Sequence, residues 1–364
     1  MSSLSDARAN KSIDGQRGRT GSGRPVPPVL AVGGLVVLLF IMVTASAMIG
    51  AAGIPFRRIV AAIGLADGDR AMIAKDSLIL WSIRLPRIVL ALSVGALLAT
   101  GGAIMQGLFR NPLADPGLVG VSAGAALAVA ATIVVGDRIA GSIPFAALPV
   151  AAFVGGLVTT AVLYRLSTRE GRTSIATLLL AGLALGALAG AGTGLLVFLA
   201  DDRQLRDITF WTLGSLAGAT WPKVWAIAPF VTALLLSMAF MARGLDLLVL
   251  GEAEAFHMGI AVERLKQTAI VLVALAAGAA VSVSGVIGFV GIVVPHLLRL
   301  LIGPGHRLLL PATACFGALV LLVADTLART LAAPAELPVG IVTAILGAPF
   351  FLFLLLRQRA LVGL

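Results

Sequence analysis

Few residues in this chain could do chemistry, and their placement excludes more than it allows. An ion-coupled carrier needs carboxylates or histidines inside its membrane helices, because a buried ionisable group is the relay. Here no Asp or Glu lies near the centre of any predicted helix. Asp325 falls near a helix end and Asp115 in a turn after Pro112. The histidines, His257, His296 and His306, are scattered. The one cysteine, Cys315, lies in an apolar run, which leaves no disulfide framework and no cysteine cluster for a metal. Hydrolysing ATP on this chain would require a phosphate-cradling G-x-x-x-x-G-K-[ST] loop. The four lysines are Lys11, Lys75, Lys223 and Lys266, and none follows a glycine. The expectation is a chain with no catalytic residue, no bound metal and no resident cofactor.

The elements around these residues are membrane helices. Of 364 residues, 59% are hydrophobic and 12% charged, more apolar surface than any soluble core requires. The net charge of +10 is spread between apolar runs instead of sharing one face, which argues against nucleic acid. Apolar runs of about spanning length occur near 29–51, 87–108, 117–136, 145–164, 174–200, 222–242, 266–283, 286–302, 308–327 and 338–356. Ten helices put both termini on one side. Placing them in the cytoplasm leaves 16 of the 27 basic residues inside, in the sense of the positive-inside rule. Trp81, Trp211, Trp221 and Trp225 then all fall at outer helix ends, as an aromatic belt would. Residues 1–25 are polar and basic and are expected to be a disordered cytoplasmic tail. Residues 26–364 form the transmembrane domain. The run after the tail is longer than a signal core, so it reads as a retained first helix.

The stretch 84–125 begins RLPR, runs about a membrane's width and breaks at Asn111-Pro112. Its glycines, Gly95, Gly101, Gly102 and Gly107, suit a helix pressed against protein. Gly95-Ala96, Gly102 and Ile104 recur at the same spacing as Gly278-Ala279, Gly285 and Ile287, a weak sign of an inverted repeat. Residues 52–86 read either as an amphipathic piece at the outer surface or as a soluble loop.

The longest internal cytoplasmic connection, 243–266, mixes charged and apolar residues. Gly251 and Gly259 bracket a helix-forming run, 252–258. Spacing alone leaves two readings open, a rigid docking helix for a partner ATPase or an ordinary amphipathic loop.

These blocks resemble the permease subunits of ABC importers for iron chelates, haem and vitamin B12. The likeness covers nearly everything after residue 26. It is carried by RLPR at 84–87, NPLADPGLVG at 111–120, G-E-x-x-A-x-x-x-G at 251–259, SGVIGFVGIVVPHLLRLLIGPGHRLLLP at 284–311, ADTLAR at 324–329 and ELPVGIVTAILGAPFFLFLLL at 336–356. The resemblance implies an all-α, ten-helix, inverted-repeat type II importer permease of the bacterial inner membrane. It implies a homodimer served by two ATPase subunits and a periplasmic substrate-binding protein. Gly251, Glu252, Ala255, His257 and Gly259 match the segment that sits in a groove of the ATPase. Arg84, Arg87 and Arg329 match arginines that receive acidic residues of the binding protein from an exposed outer face. Gln106, Asn111 and Pro112 match the neighbourhood of the translocation path, and Thr173-Ser174 the inner gate. The wording is most similar to the haem-importing branch, with ferric siderophores and cobalamin as the other cargoes. The histidines fall toward the cytoplasm, so none is expected to ligate haem on its way in.

Overall fold

The computed structural model describes residues 28–50, 53–67, 69–140 and 145–362. The tail at 1–25 lies outside the described residues. Helix α1 is Pro28–Met48, and two short helices follow, α2 at Phe56–Ala62 and α3 at Arg70–Ile79. A π-helical turn, Leu80–Arg84, joins α3 to α4 at Leu85–Phe109. After a 3-10 turn at Pro116–Val119 come α5 (Val121–Ala131), prolonged by a further π turn, and α6 (Leu148–Ser167). A small antiparallel hairpin, β1 (Thr168–Arg169) and β2 (Arg172–Thr173), leads into α7 (Ile175–Leu199). The rest is helical: α8 (Asp202–Thr212), α9 (Trp221–Leu248), α10 (Glu252–His257), α11 (Val262–Ser284), α12 (Val290–Ile302), α13 (His306–Leu331) and α14 (Val339–Val362).

Among the described residues, eight helices are long and apolar enough to cross a membrane, and two shorter apolar helices, Val290–Ile302 and Val339–Phe353, accompany them. The eight long helices fall on eight of the ten apolar runs of the sequence, and the two shorter ones on the runs near 286–302 and 338–356. Boundaries differ where a local feature overrides hydropathy. The second span starts at Arg70 instead of residue 87, because α3 runs through the π turn into α4 as one helix, Arg70–Phe109. Asp69 caps its start by accepting from the Ala71 N–H at 2.9 Å. The choice left open for 52–86 resolves to helices: Arg58 clamps α2 to α3 through two bonds to Asp76, of 2.7 and 2.6 Å. A helix that hydropathy does not mark, α8, is announced by a capping box. Asp201 accepts from the Gln204 N–H, and the Gln204 side chain accepts from the Asp201 N–H.

Helix α4 is the axis of the bundle. It is buried along nearly its whole length and packs against α9, α11, α12 and α13. At two crossings only glycine fits. A Cβ on Gly95 would overlap the Gly317 carbonyl of α13, and one on Gly102 would overlap the Gly291 carbonyl of α12. With no hydrophobic drive between helices in lipid, such backbone contact is what holds them together. The helix ends at Phe109, where Arg110 turns left-handed (φ 50) ahead of Pro112.

The suspected repeat holds only in part. Gly278 lies in α11, but Gly285 (φ 69) ends that helix, so Ile287 falls in a loop while Gly102 and Ile104 lie inside α4. The four tryptophans gather at one end of the bundle. The Trp221 indole donates to the Trp81 carbonyl at 2.8 Å and stacks on Trp225, and Trp211 adjoins Gly285.

Candidate functional site

The bundle has two chemically distinct ends. At the end carrying the tryptophans, Arg84, Arg87 and Arg329 converge from α3–α4 and α13 around a cavity of about 310 Å³ that Glu336 also lines. The expectation of exposed arginines needs correction. Arg84 and Arg87 are buried, at 5% and 8% exposure, and Arg329 is partly buried. Each has partners within the chain. Arg87 donates through Nε and Nη2 to Asp325, at 2.9 to 3.1 Å, and through Nη1 to Glu336 at 2.8 and 3.1 Å. Arg84 donates to the Ala47 carbonyl. Arg329 donates to the Ile49 carbonyl and to the carbonyl and hydroxyl of Ser46, at 2.9, 2.9 and 2.6 Å.

The physical reason is the C-terminus of α1. Its last carbonyls have no partner within the helix and carry the negative end of the dipole. Two guanidiniums satisfy them. Asp325, only 1% exposed, needs Arg87 for its own charge. Sequence spacing gave no sign of these pairings, because Asp325 and Glu336 lie more than 200 residues from Arg87 along the chain. Glu336 is the exposed member, with 43% of its side chain accessible.

The other end carries α10 and the hairpin. Helix α10 covers Glu252–His257, within the expected 252–258 run, and is bracketed by Gly251 (φ 133) and Gly259 (φ 86). Ala255 is fully buried and anchors it. His257 is exposed and its ring meets that of Phe256 edge-on. Around them Val249, Leu250, Phe256 and Met258 leave apolar surface exposed, 42 to 67% accessible, beside Glu252 and Glu254. Four apolar residues in a connection that also carries charge are a sign of a contact surface legible in the sequence.

Thr173 and Ser174 join the hairpin to α7. Thr173 is buried, and Ser174 caps α7 by accepting from the Thr177 N–H at 3.3 Å. Beside them lies Lys266, a buried lysine on α11. Its ammonium donates to Glu252 at 2.7 Å, to Glu263 at 3.1 Å and to the Thr173 carbonyl at 3.3 Å. Glu263 accepts in turn from the Thr173 N–H at 3.0 Å.

The remaining path candidates are not brought together. Gln106 is 2% exposed and sits between α4 and α12. It donates to the Gly291 and Ile292 carbonyls and accepts from Arg299, so it serves packing and does not line an open route in this chain. Asn111 and Pro112 are exposed in the turn after α4, where the Asn111 side chain accepts from the Leu113 N–H at 2.9 Å. At the same end His306 opens α13 and is held by Asp246 at 2.7 Å from Nδ1.

The model of the FecCD transport family matches residues 38–357. The hemin transport system permease protein HmuU of Yersinia pestis is 47% identical over 335 residues, covering 92% of this chain and 97% of that protein. The cobalamin import system permease protein BtuC of Halobacterium salinarum is 45% identical over 281 residues, covering 77% of this chain and 74% of that protein. Among solved structures, an inward-facing metal-chelate type ABC transporter superposes with a TM-score of 0.77 at 33% identity, covering 90% of this chain and 98% of that one. PsaBC from Streptococcus pneumoniae shares the fold, with a TM-score of 0.54 at 18% identity. A family match across almost the whole chain, joined to a helical bundle with the same architecture, establishes that this chain belongs to the FecCD transport family, the multi-span permeases of bacterial inner-membrane ABC importers.

Proposed function

We propose that this permease carries haem inward as a homodimer, driven by two separate ATPase subunits and supplied by a periplasmic binding protein. The observation that carries the cargo is the extent of likeness to the hemin permease of Yersinia pestis, 47% identity over 97% of that protein's length. The likeness to cobalamin permeases is nearly as strong, so cobalamin and ferric siderophores are the competing cargoes.

The geometry supports the rest of the cycle. The end of α1 bound by Arg84 and Arg329 is the outer end, so its start shares a side with α10 and the hairpin. That agrees with both termini being cytoplasmic and with α10 facing the ATPase through its apolar patch. Glu252 and Ala255 then hold the segment to the bundle while Phe256 and His257 face outward. Arg84, Arg87, Arg329 and Glu336 surround the cavity that receives the binding protein's carboxylates, which reach the guanidiniums in exchange for internal partners such as the exposed Glu336. The second copy of the chain covers α7, which leaves Leu180, Leu183 and Leu188 about 70% exposed and its glycine face at Gly186, Gly190 and Gly194 open. The cargo passes between the two copies, and Thr173 and Ser174 stand at its inner end.

The test is reconstitution of the chain in lipid with its ATPase and binding protein, followed by ATP hydrolysis and uptake of haem, a ferric siderophore and cobalamin. Haem uptake that requires both ATP and the binding protein is the expected result. Uptake of cobalamin or a siderophore alone would replace the cargo, and uptake without ATP would return an ion-coupled carrier.

A further inference from the structure

Lys266 lies where three elements meet, and each supplies one acceptor. Glu252 belongs to α10, Glu263 to α11 itself and the Thr173 carbonyl to β2. An ammonium has three donors, so this set saturates it. The side chain is 3% exposed, and a charge so buried stays only while its partners remain in place. Glu263 uses both oxygens, one on Lys266 and one on the Thr173 N–H, so the Thr173 backbone is gripped at both its N–H and its carbonyl.

The hairpin cannot set its own position. It has two residue pairs, Thr168 with Thr173 and Arg169 with Arg172, where an isolated hairpin even of ordinary length is marginal in water. Its placement therefore rests on its neighbours: α6 and α7, which flank it in the chain, and the grip from α11. Directly after Thr173, Ser174 caps α7, so hairpin and helix move as one piece.

We propose that Lys266 is the positioning residue through which α10 sets the hairpin and, through the Ser174 cap, the start of α7. Displacing α10 withdraws the Glu252 carboxylate from Lys266. The ammonium then has only Glu263 and Thr173, and the clamp on Thr173 relaxes or shifts to recover a third acceptor. The inference rests on the reading of α10 as the ATPase contact.

The experiment uses the full permease with its ATPase subunits in lipid nanodiscs. The native cysteine is removed as Cys315→Ala and a nitroxide is placed at the hairpin tip through Glu170→Cys. The label spectrum is recorded without nucleotide and with ATP trapped, in parent, Lys266→Gln and Glu252→Gln backgrounds, with co-purification of the ATPase as a second readout. Glu252→Gln neutralises only the partly exposed arm and keeps the Lys266–Glu263 pair, so it serves even if Lys266→Gln does not fold. The expected result is a nucleotide-dependent spectral change in the parent, lost in both variants while the ATPase remains bound. An unchanged response in Glu252→Gln, or no response in the parent, overturns the relay. A separate Phe256→Asp variant should release the ATPase. Retention of the ATPase there overturns the coupling reading and the relay with it, whereas release of the ATPase with a normal Glu252→Gln response overturns the relay alone.

Discussion

Replacing Arg87 with methionine should destabilise this protein far more than the loss of one surface ion pair. Arg87 makes three contacts to Asp325 of 3.1 Å or less and two to Glu336, and Asp325 is 1% exposed. Without Arg87 the nearest cation to Asp325 is Arg329, whose Nε lies 3.7 Å away and makes no hydrogen bond. Removing one partner of a buried pair costs about 3–5 kcal/mol, because the remaining charge is stranded. Replacing both partners by apolar side chains of similar volume is often neutral. The double variant Arg87→Met/Asp325→Leu should therefore recover most of the loss. Glu336→Gln, which touches only the exposed arm, should cost at most about 1 kcal/mol. Denaturant unfolding of the purified permease in one detergent and lipid mixture, monitored for the four proteins together, gives the ranking. A single Arg87→Met variant as stable as the wild type, or a double variant less stable than the single, would refute the argument. The double variant also supplies the control that docking needs. It should fold, yet respond less to the binding protein, separating the guanidinium's contact with a partner from its service to Asp325.

Three further outcomes are expected from the same packing. Charge reversal at Arg84 and Arg329 should weaken stimulation of ATP hydrolysis by the binding protein and also loosen the end of α1, whose carbonyls they bind; hydrogen exchange of residues 44–50 separates the two effects. Gly102→Val places methyl groups on the Gly291 carbonyl of α12 and should cost about 1–3 kcal/mol or more, read as a lowered unfolding midpoint. Gly251→Ala forces a side chain into a backbone conformation (φ 133) that is essentially glycine's and against the Glu254 carboxylate. The strain of about 1–3 kcal/mol should displace α10 and reduce ATPase co-purification, with the span helices unaffected in circular dichroism.

The sequence determined the elements of this protein that depend on local physics. Eight of the ten apolar runs reappear as helices long enough to span and two as shorter apolar helices, because desolvating the backbone in lipid leaves the chain no alternative to a helix. The glycines of α4 announced a helix packed against protein, and Gly251 and Gly259 bracketed α10 because the chain reverses there. The family was legible for the same reason, in ordered blocks at those positions. Two further features are local: the Asp201–Gln204 capping box, which hydropathy does not mark, and the i, i+3 pair Glu263–Lys266. Only the tertiary structure decided what the charged side chains do. Arg84, Arg87 and Arg329 read as exposed docking groups because spacing shows where a residue lies along a helix but not what faces it. Folding brings the carbonyl end of α1, Asp325 and Glu336 against them. It likewise seats Gln106 between α4 and α12 and puts Lys266 between α10 and the hairpin. A buried charge is stable only beside its counter-charge, and those partners lie as much as 249 residues apart in this chain, a distance that no local pattern encodes.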